Sequence, residues 1–183
     1  LTGWQSLLPK TAASATVSVS AGGMVYADRS LLAANIARVD SISGLSLASD
    51  DTAAQITALL GKASAASINA TGMVHDGDET IGDQLNAVAG ALAKVASIDG
   101  NVSITNALAN LEAFLGKCLV GANVSVDATG MNGTKLTIIV NLELKVDSVS
   151  GITFDGLLPM TQFVSLLDRT NGAAADEIGR AHV

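Results

Sequence analysis

Internal self-similarity is the feature that most constrains what this chain can fold into. Three segments share one pattern, an apolar pair closing on Lys and then a short alternating run closing on Gly-Met. The first is Leu7-Leu8-Pro9-Lys10, followed by Ala15-Thr16-Val17-Ser18-Val19-Ser20-Ala21-Gly22-Gly23-Met24. The second is Leu59-Leu60-Gly61-Lys62, followed by Ala66-Ser67-Ile68-Asn69-Ala70-Thr71-Gly72-Met73. The third is Phe114-Leu115-Gly116-Lys117, followed by Ala122-Asn123-Val124-Ser125-Val126-Asp127-Ala128-Thr129-Gly130-Met131. The anchoring lysines are 52 and 55 positions apart.

A second block lies between these. Arg38-Val39-Asp40-Ser41-Ile42-Ser43-Gly44, Lys94-Val95-Ala96-Ser97-Ile98-Asp99-Gly100 and Lys145-Val146-Asp147-Ser148-Val149-Ser150-Gly151 align at spacings of 56 and 51. Coincidence in an Ala/Ser/Val-rich chain is the competing explanation. Two independent blocks in the same order and at similar spacing argue against it. The pattern divides the chain into units at 1–58, 59–113 and 114–176, and Leu166-Leu167-Asp168-Arg169 falls where a fourth copy would open.

The third copy gives the unit its expected form. Val124 and Val126 alternate with polar neighbours, as in a half-buried strand. Asn132-Gly133 offers a tight hairpin turn. Beyond it, Leu136, Ile138, Val140, Leu142, Leu144 and Val146 share one parity, with Ile139 the exception, which predicts a long amphipathic strand. A helix is expected after each Ser-Gly loop. Ser49, Asp50 or Asp51 would cap the first, with Ile56, Leu59 and Leu60 inward. Thr105 would cap the second, with Leu108, Leu111 and Leu115 inward. In the third copy Leu158, Phe163, Leu166 and Leu167 share a face behind Pro159. Gly61 and Gly116 would end their helices in the left-handed conformation, with Lys62 and Lys117 complementing the dipole. Residues 84–95 and 31–39 are ambiguous: propensity favours helix, while alignment to the third copy favours strand, and the alignment is followed here. The expected fold is α+β, with tandem degenerate helix–strand–turn–strand repeats forming an antiparallel sheet covered by helices.

Hydrophobic residues make up 49% of the 183, yet aromatics are 3% and charged residues 15%, so the core must be built from small side chains. The net charge is −7 and the Lys and Arg are scattered, which argues against nucleic acid as a partner. No apolar run approaches the roughly 20 residues that span a bilayer, so membrane insertion is not expected. Cys118 is the single cysteine, which excludes an internal disulfide. The terminal Glu177-Ile178-Gly179-Arg180-Ala181-His182-Val183 resembles a translated sequencing adapter, so 177–183 is read as a non-native tail of a fragment.

The order Leu-Leu-Gly-Lys, short strand, Gly turn, alternating run, Ser-Gly loop and helix resembles the tandem units of giant bacterial extracellular proteins. These are adhesin-like and hemolysin-like chains, some carrying an N-terminal LEPR-XLL motif that this chain lacks. The resemblance covers most of 7–169. It implies a structural role in a secreted or surface protein, with neighbouring repeats of the same parent as partners, and it assigns no functional residue.

The search for chemistry yields little. His75 is the one histidine outside the tail, and no Gly-x-Ser-x-Gly elbow accompanies it. Cys118 beside Leu119 and Val120 reads as a small buried hydrophobe. Gly61-Lys62 and Gly116-Lys117 lack the remaining residues of a phosphate loop. Asp76, Asp78, Glu79 and Asp83 around Gly77 form the one candidate metal site, for calcium, although Ile81 stands where an EF-hand loop needs Gly. A solvated acidic turn is the plainer reading. Asn69, Asn101, Asn123 and Asn132 open Asn-x-Ser/Thr sites, which matter in a glycosylating pathway.

These readings favour a spacer or stalk without catalysis. The alternatives are an adhesive module for host or matrix glycan or protein, calcium-dependent or not, and a single uncharacterised α+β domain.

Overall fold

The structure, a computed structural model, describes residues 15–75, 82–152 and 159–170. Strands and helices alternate along the chain: β1 (Ser18–Ser20), α1 (Tyr26–Ala34), β2 (Ser41–Ser43), β3 (Leu45–Leu47), α2 (Ala53–Lys62), β4 (Ala66–Asn69), α3 (Gln84–Ala89), β5 (Val95–Asp99), β6 (Asn101–Ile104), α4 (Leu111–Lys117), β7 (Asn123–Asp127), α5 (Gly133–Asn141), β8 (Ser148–Ser150) and α6 (Met160–Leu167). Short 3₁₀ turns at Ile36–Arg38, Leu92–Lys94 and Glu143–Lys145 lead into β2, β5 and β8.

The expected antiparallel sheet is not formed. The strands make three small sheets, β1-β2, β3-β4-β5 and β6-β7-β8, and every pairing in them is parallel. The fold is therefore mixed α/β, a serial strand–helix winding. Parallel neighbours need a crossover of a dozen or more residues, usually a helix, and this accounts for the largest correction. The run 136–146, expected as a strand, is α5 and the 3₁₀ turn that follows it. Asn132 closes no hairpin. Its side chain accepts the Lys135 N–H at 3.0 Å and caps α5, with Gly133 as the first helical residue. Leu136 and Ile139, three apart, are the residues that α5 buries, while Leu144 is 81% exposed. The two ambiguous stretches also resolve as α1 and α3, each with its 3₁₀ extension.

The strands that do form come from the two sequence blocks. β1, β4 and β7 lie in the Gly-Met blocks; β2, β5 and β8 lie in the Ser-Gly blocks. Gly44 and Gly100 take positive φ (64° and 85°) and join β2 to β3 and β5 to β6 in kinked strands. Each kinked strand pairs backward through its first half and forward through its second. A straight strand, β4 or β7, is thus flanked by the second half of one kinked strand and by the strand of the next Ser-Gly block. Isolated bridges, Ile42 with Ala63 and Ile98 with Cys118, connect successive sheets at equivalent points.

Local chemistry explains the blocks. Asp40 and Asp147 each turn a carboxylate onto the strand of the preceding coil and accept the N–H of Val17 (2.6 Å) and Val124 (2.7 Å). Ala96 replaces this Asp in the middle copy, and there the register between β4 and β5 shifts by one residue. The glycine ending each Ser-Gly block packs against the preceding coil. A Cβ on Gly100 would lie 2.3 Å from Thr71 Oγ1, and one on Gly151 would lie 2.2 Å from Thr129 Oγ1.

The helices bury the expected faces: Ile56, Leu59 and Leu60 in α2, and Leu111, Phe114 and Leu115 in α4, with Leu108 buried just ahead of it. Their ends differ from expectation. Thr52 caps α2 in a reciprocal box with Gln55, and Asn110, at φ 53°, precedes α4. Gly61 and Gly116 lie inside the last turns, and Ala63 and Cys118 are the C-caps in extended conformation. In α6, Phe163 and Leu166 are buried behind Pro159, the N-cap, whereas Leu158 lies outside the described residues. One apolar cluster runs from Ala21 to Leu166 beneath all the coils. No helix among the described residues is long and apolar enough to cross a membrane.

Candidate functional site

Two regions gather polar groups. The first is the solvent face of the sheets. Strand residues alternate, so Val, Ile and Leu enter the core and the remainder point outward. Register then lines up Ser18 with Ser41, Ser20 with Ser43, Ser46 with Ser67 and Ser97, and Asn69 with Asp99. It continues with Asn101 beside Asn123, Ser103 beside Ser125 and Ser148, and Asp127 beside Ser150. The strands among the described residues contain no Lys, Arg or aromatic residue. The face is therefore hydroxyl- and carboxamide-rich, and Asp99 and Asp127 are the acids among its paired outward residues.

Much of its hydrogen-bonding capacity serves the fold. Asn69 and Asp127 accept the N–H of Thr71 and Thr129, two residues on, and so shape the turns that leave β4 and β7. The Thr129 hydroxyl and N–H hold the Asp127 carboxyl below its ordinary value. Asn101 N–H donates to Thr71 Oγ1 at 3.0 Å. A shallow depression of about 400 Å³ opens beside these groups, lined by Ser46, Ser67, Asn69, Ser97 and Asp99 with Leu119 at its rim.

The second region surrounds the expected calcium site. Asp76, Asp78 and Glu79 lie outside the described residues. Asp83 is a helix cap: its carboxylate accepts the Asn86 N–H at 2.8 Å and faces His75 Nδ1 at 3.2 Å. Burial pushes the Asp83 carboxyl up, but hydrogen bonds from Asn86 and His75 outweigh it and leave the group below its ordinary value. The His75 side chain is buried, and its Nε2 has no hydrogen-bond partner. Among the described residues, no three His, Cys, Asp or Glu side chains converge as metal ligands.

No protein-family model, no curated protein and no solved structure matches the chain. What the site can do rests on its own geometry.

A buried network that the sequence reading missed ties the first three helices together. Arg29 Nε lies 2.9 Å from both carboxylate oxygens of the fully buried Asp51. Its other nitrogens donate to Asp50 Oδ1 and to the Met24 carbonyl. Asp51 also accepts the Ala48 N–H, and the Gln84 amide donates to the Ser49 and Asp51 carbonyls while accepting the Val74 N–H. Burial alone would lower the Arg29 pKa, but the two carboxylates outweigh it and raise it. This network satisfies buried polar groups and offers no open valence. Cys118 is likewise structural. Burial pushes its thiol up to about 11, against a smaller opposing effect of Lys145, and its Sγ points to the Phe114 carbonyl.

Proposed function

We propose that the chain is a structural segment, a spacer or stalk, of a larger bacterial protein displayed outside the cell. Its partners on this reading are the neighbouring repeats of the same parent. One observation carries the proposal: among the described residues, every strand pairs only with strands next to it in the order of the winding. Such a body is held by nearest-neighbour interfaces and lengthens by adding coils. The low charge, small polar sheet face and buried cysteine suit a surface exposed to variable surroundings, and the reading assigns the segment no catalysis.

Single-molecule extension from residue 15 to residue 170 tests this. Paired positions in adjacent coils lie 21 residues apart at Leu45 and Ala66 and 30 apart at Ile68 and Ile98. Peeling one coil at a time therefore releases about 70–100 Å per step at ~3.4 Å per residue. A single all-or-none extension of the whole chain would overturn the serial reading.

The depression on the sheet face favours a second reading, an adhesive module that binds glycan or protein. It requires saturable binding of an oligosaccharide or partner protein that Ser67→Lys or Asp99→Lys abolishes.

A further inference from the structure

We propose that Asn101 is the acceptor for a single N-linked glycan. The inference rests on the reading that the chain is displayed outside the cell. Four Asn-x-Ser/Thr sites occur, and their asparagines are all exposed, so exposure does not choose among them. Hydrogen bonding does. Asn69 Oδ1 is held by the Thr71 N–H and Asn132 Oδ1 by the Lys135 N–H, so turning either amide toward a donor sugar breaks a turn or a helix cap. The side chains of Asn101 and Asn123 hold no hydrogen bond among the described residues.

Two further features separate Asn101 from Asn123. Asp99, exposed and two residues before Asn101, accepts the Gly100 N–H with one oxygen at 2.7 Å and offers the other as a carboxylate handle for a basic acceptor groove, whereas Gly121 holds that position before Asn123. The Ser103 hydroxyl, two residues after, is exposed as well.

In the transfer, the Asn101 amide nitrogen bonds to the anomeric carbon of a sugar carried on a lipid diphosphate. The bond from that carbon to the diphosphate oxygen breaks, the lipid diphosphate leaves with the electron pair, and the amide proton passes to a carboxylate of the transferase. Asn101 and Asn123 are register partners on neighbouring strands, about 4.8 Å apart. A sugar ring on one fills the space over the other, so the pair accepts one glycan.

The test uses the purified folded chain with a single-subunit bacterial oligosaccharyltransferase and its lipid-diphosphate oligosaccharide, followed by intact mass and peptide mapping. The expected product carries one glycan, at Asn101. Transfer is lost in Asn101→Gln and in Ser103→Ala, and falls about tenfold in Asp99→Asn, the scale of one charge-assisted hydrogen bond. No added mass on the folded chain overturns the proposal, even where a free peptide of residues 97–105 is modified. Modification at Asn69, Asn123 or Asn132 with Asn101 bare also overturns it. The spacer reading fails separately, by all-or-none extension, which glycan transfer does not touch.

Discussion

Replacing Asp51 with Ala strands Arg29. The guanidinium is 8% exposed at its side chain, and Asp51 supplies both oxygens that face its Nε. Removing one partner of a buried ion pair costs about 3–5 kcal/mol, because the remaining charge keeps its desolvation penalty without its counter-charge. Asp50 lies 2.6 Å from another Arg29 nitrogen but is 49% exposed, so it offsets only part of the loss and places the expected cost near the lower end. With a urea slope of about 2 kcal/mol per M, a loss of about 3 kcal/mol moves the unfolding midpoint down by about 1.5 M. Arg29→Met leaves the Asp51 carboxylate with the Ala48 N–H alone and is expected to cost a similar amount. The double variant removes both charges and therefore loses much less than the sum, with a coupling of at least about 2 kcal/mol. Additive single losses would refute the reasoning. The loss is also localised: hydrogen exchange accelerates first in α1, β1 and β2, while β6–β8 keep their protection. Uniform acceleration over the chain would refute the serial part of the argument.

Four further outcomes follow from single sites. Gly100→Ala is expected to lower the thermal midpoint by several degrees, since its Cβ meets Thr71 Oγ1 and Asn69 Oδ1 at 2.3 and 2.5 Å in a positive-φ conformation, whereas Gly61→Ala, helical and in open space, stabilises by about 0.5–1 kcal/mol. Cys118, with its thiol pushed up to about 11, stays protonated and unlabelled by an aromatic disulfide reagent at pH 8 until urea unfolds its coil; immediate native labelling would contradict its burial. Asp83→Ala removes a helix cap and costs about 1 kcal/mol at neutral pH. Because the folded Asp83 value is depressed, its contribution is fully present above the ordinary 3.8 and drains as pH falls through the lower folded value, so the difference between variant and parent in paired denaturation curves narrows in acid.

How much of this was legible in the sequence depends on the range of the interaction. The inward residues of β4 and β7 and the buried face of α2 follow from periods of 2 and 3.6 within a few positions, and they could be read directly. The run 136–146 could not. Its alternation satisfies a strand, yet Ile139, the residue that broke the alternation, is fully buried and sets the face of α5. The deciding fact is non-local: β7 pairs with β8 in parallel, and only a helix fills that crossover compactly. The site divides in the same way. Asp83 as a cap carries a local signal, Asp three residues ahead of Asn86. Arg29 and Asp51 are 22 residues apart, and no local pattern links them.

The sequence period of 51–56 residues has a structural cause that also bears on how the chain can change. One coil is about half that length, so a single strand and helix do not complete the pattern. A kinked strand must follow a straight one, because the kink at Gly44 or Gly100 hands the pairing from one sheet to the next. Deleting one coil would place two straight strands, or two kinked strands, side by side. The Asp40 and Asp147 carboxylates would then lose the N–H groups they hold on Val17 and Val124. Gly100 and Gly151 would lose the turns they pack against. Deleting two coils again sets a straight strand beside a kinked one, so the pairing is handed on as before. The pair of coils, not the single coil, therefore matches the spacing at which the two sequence blocks recur.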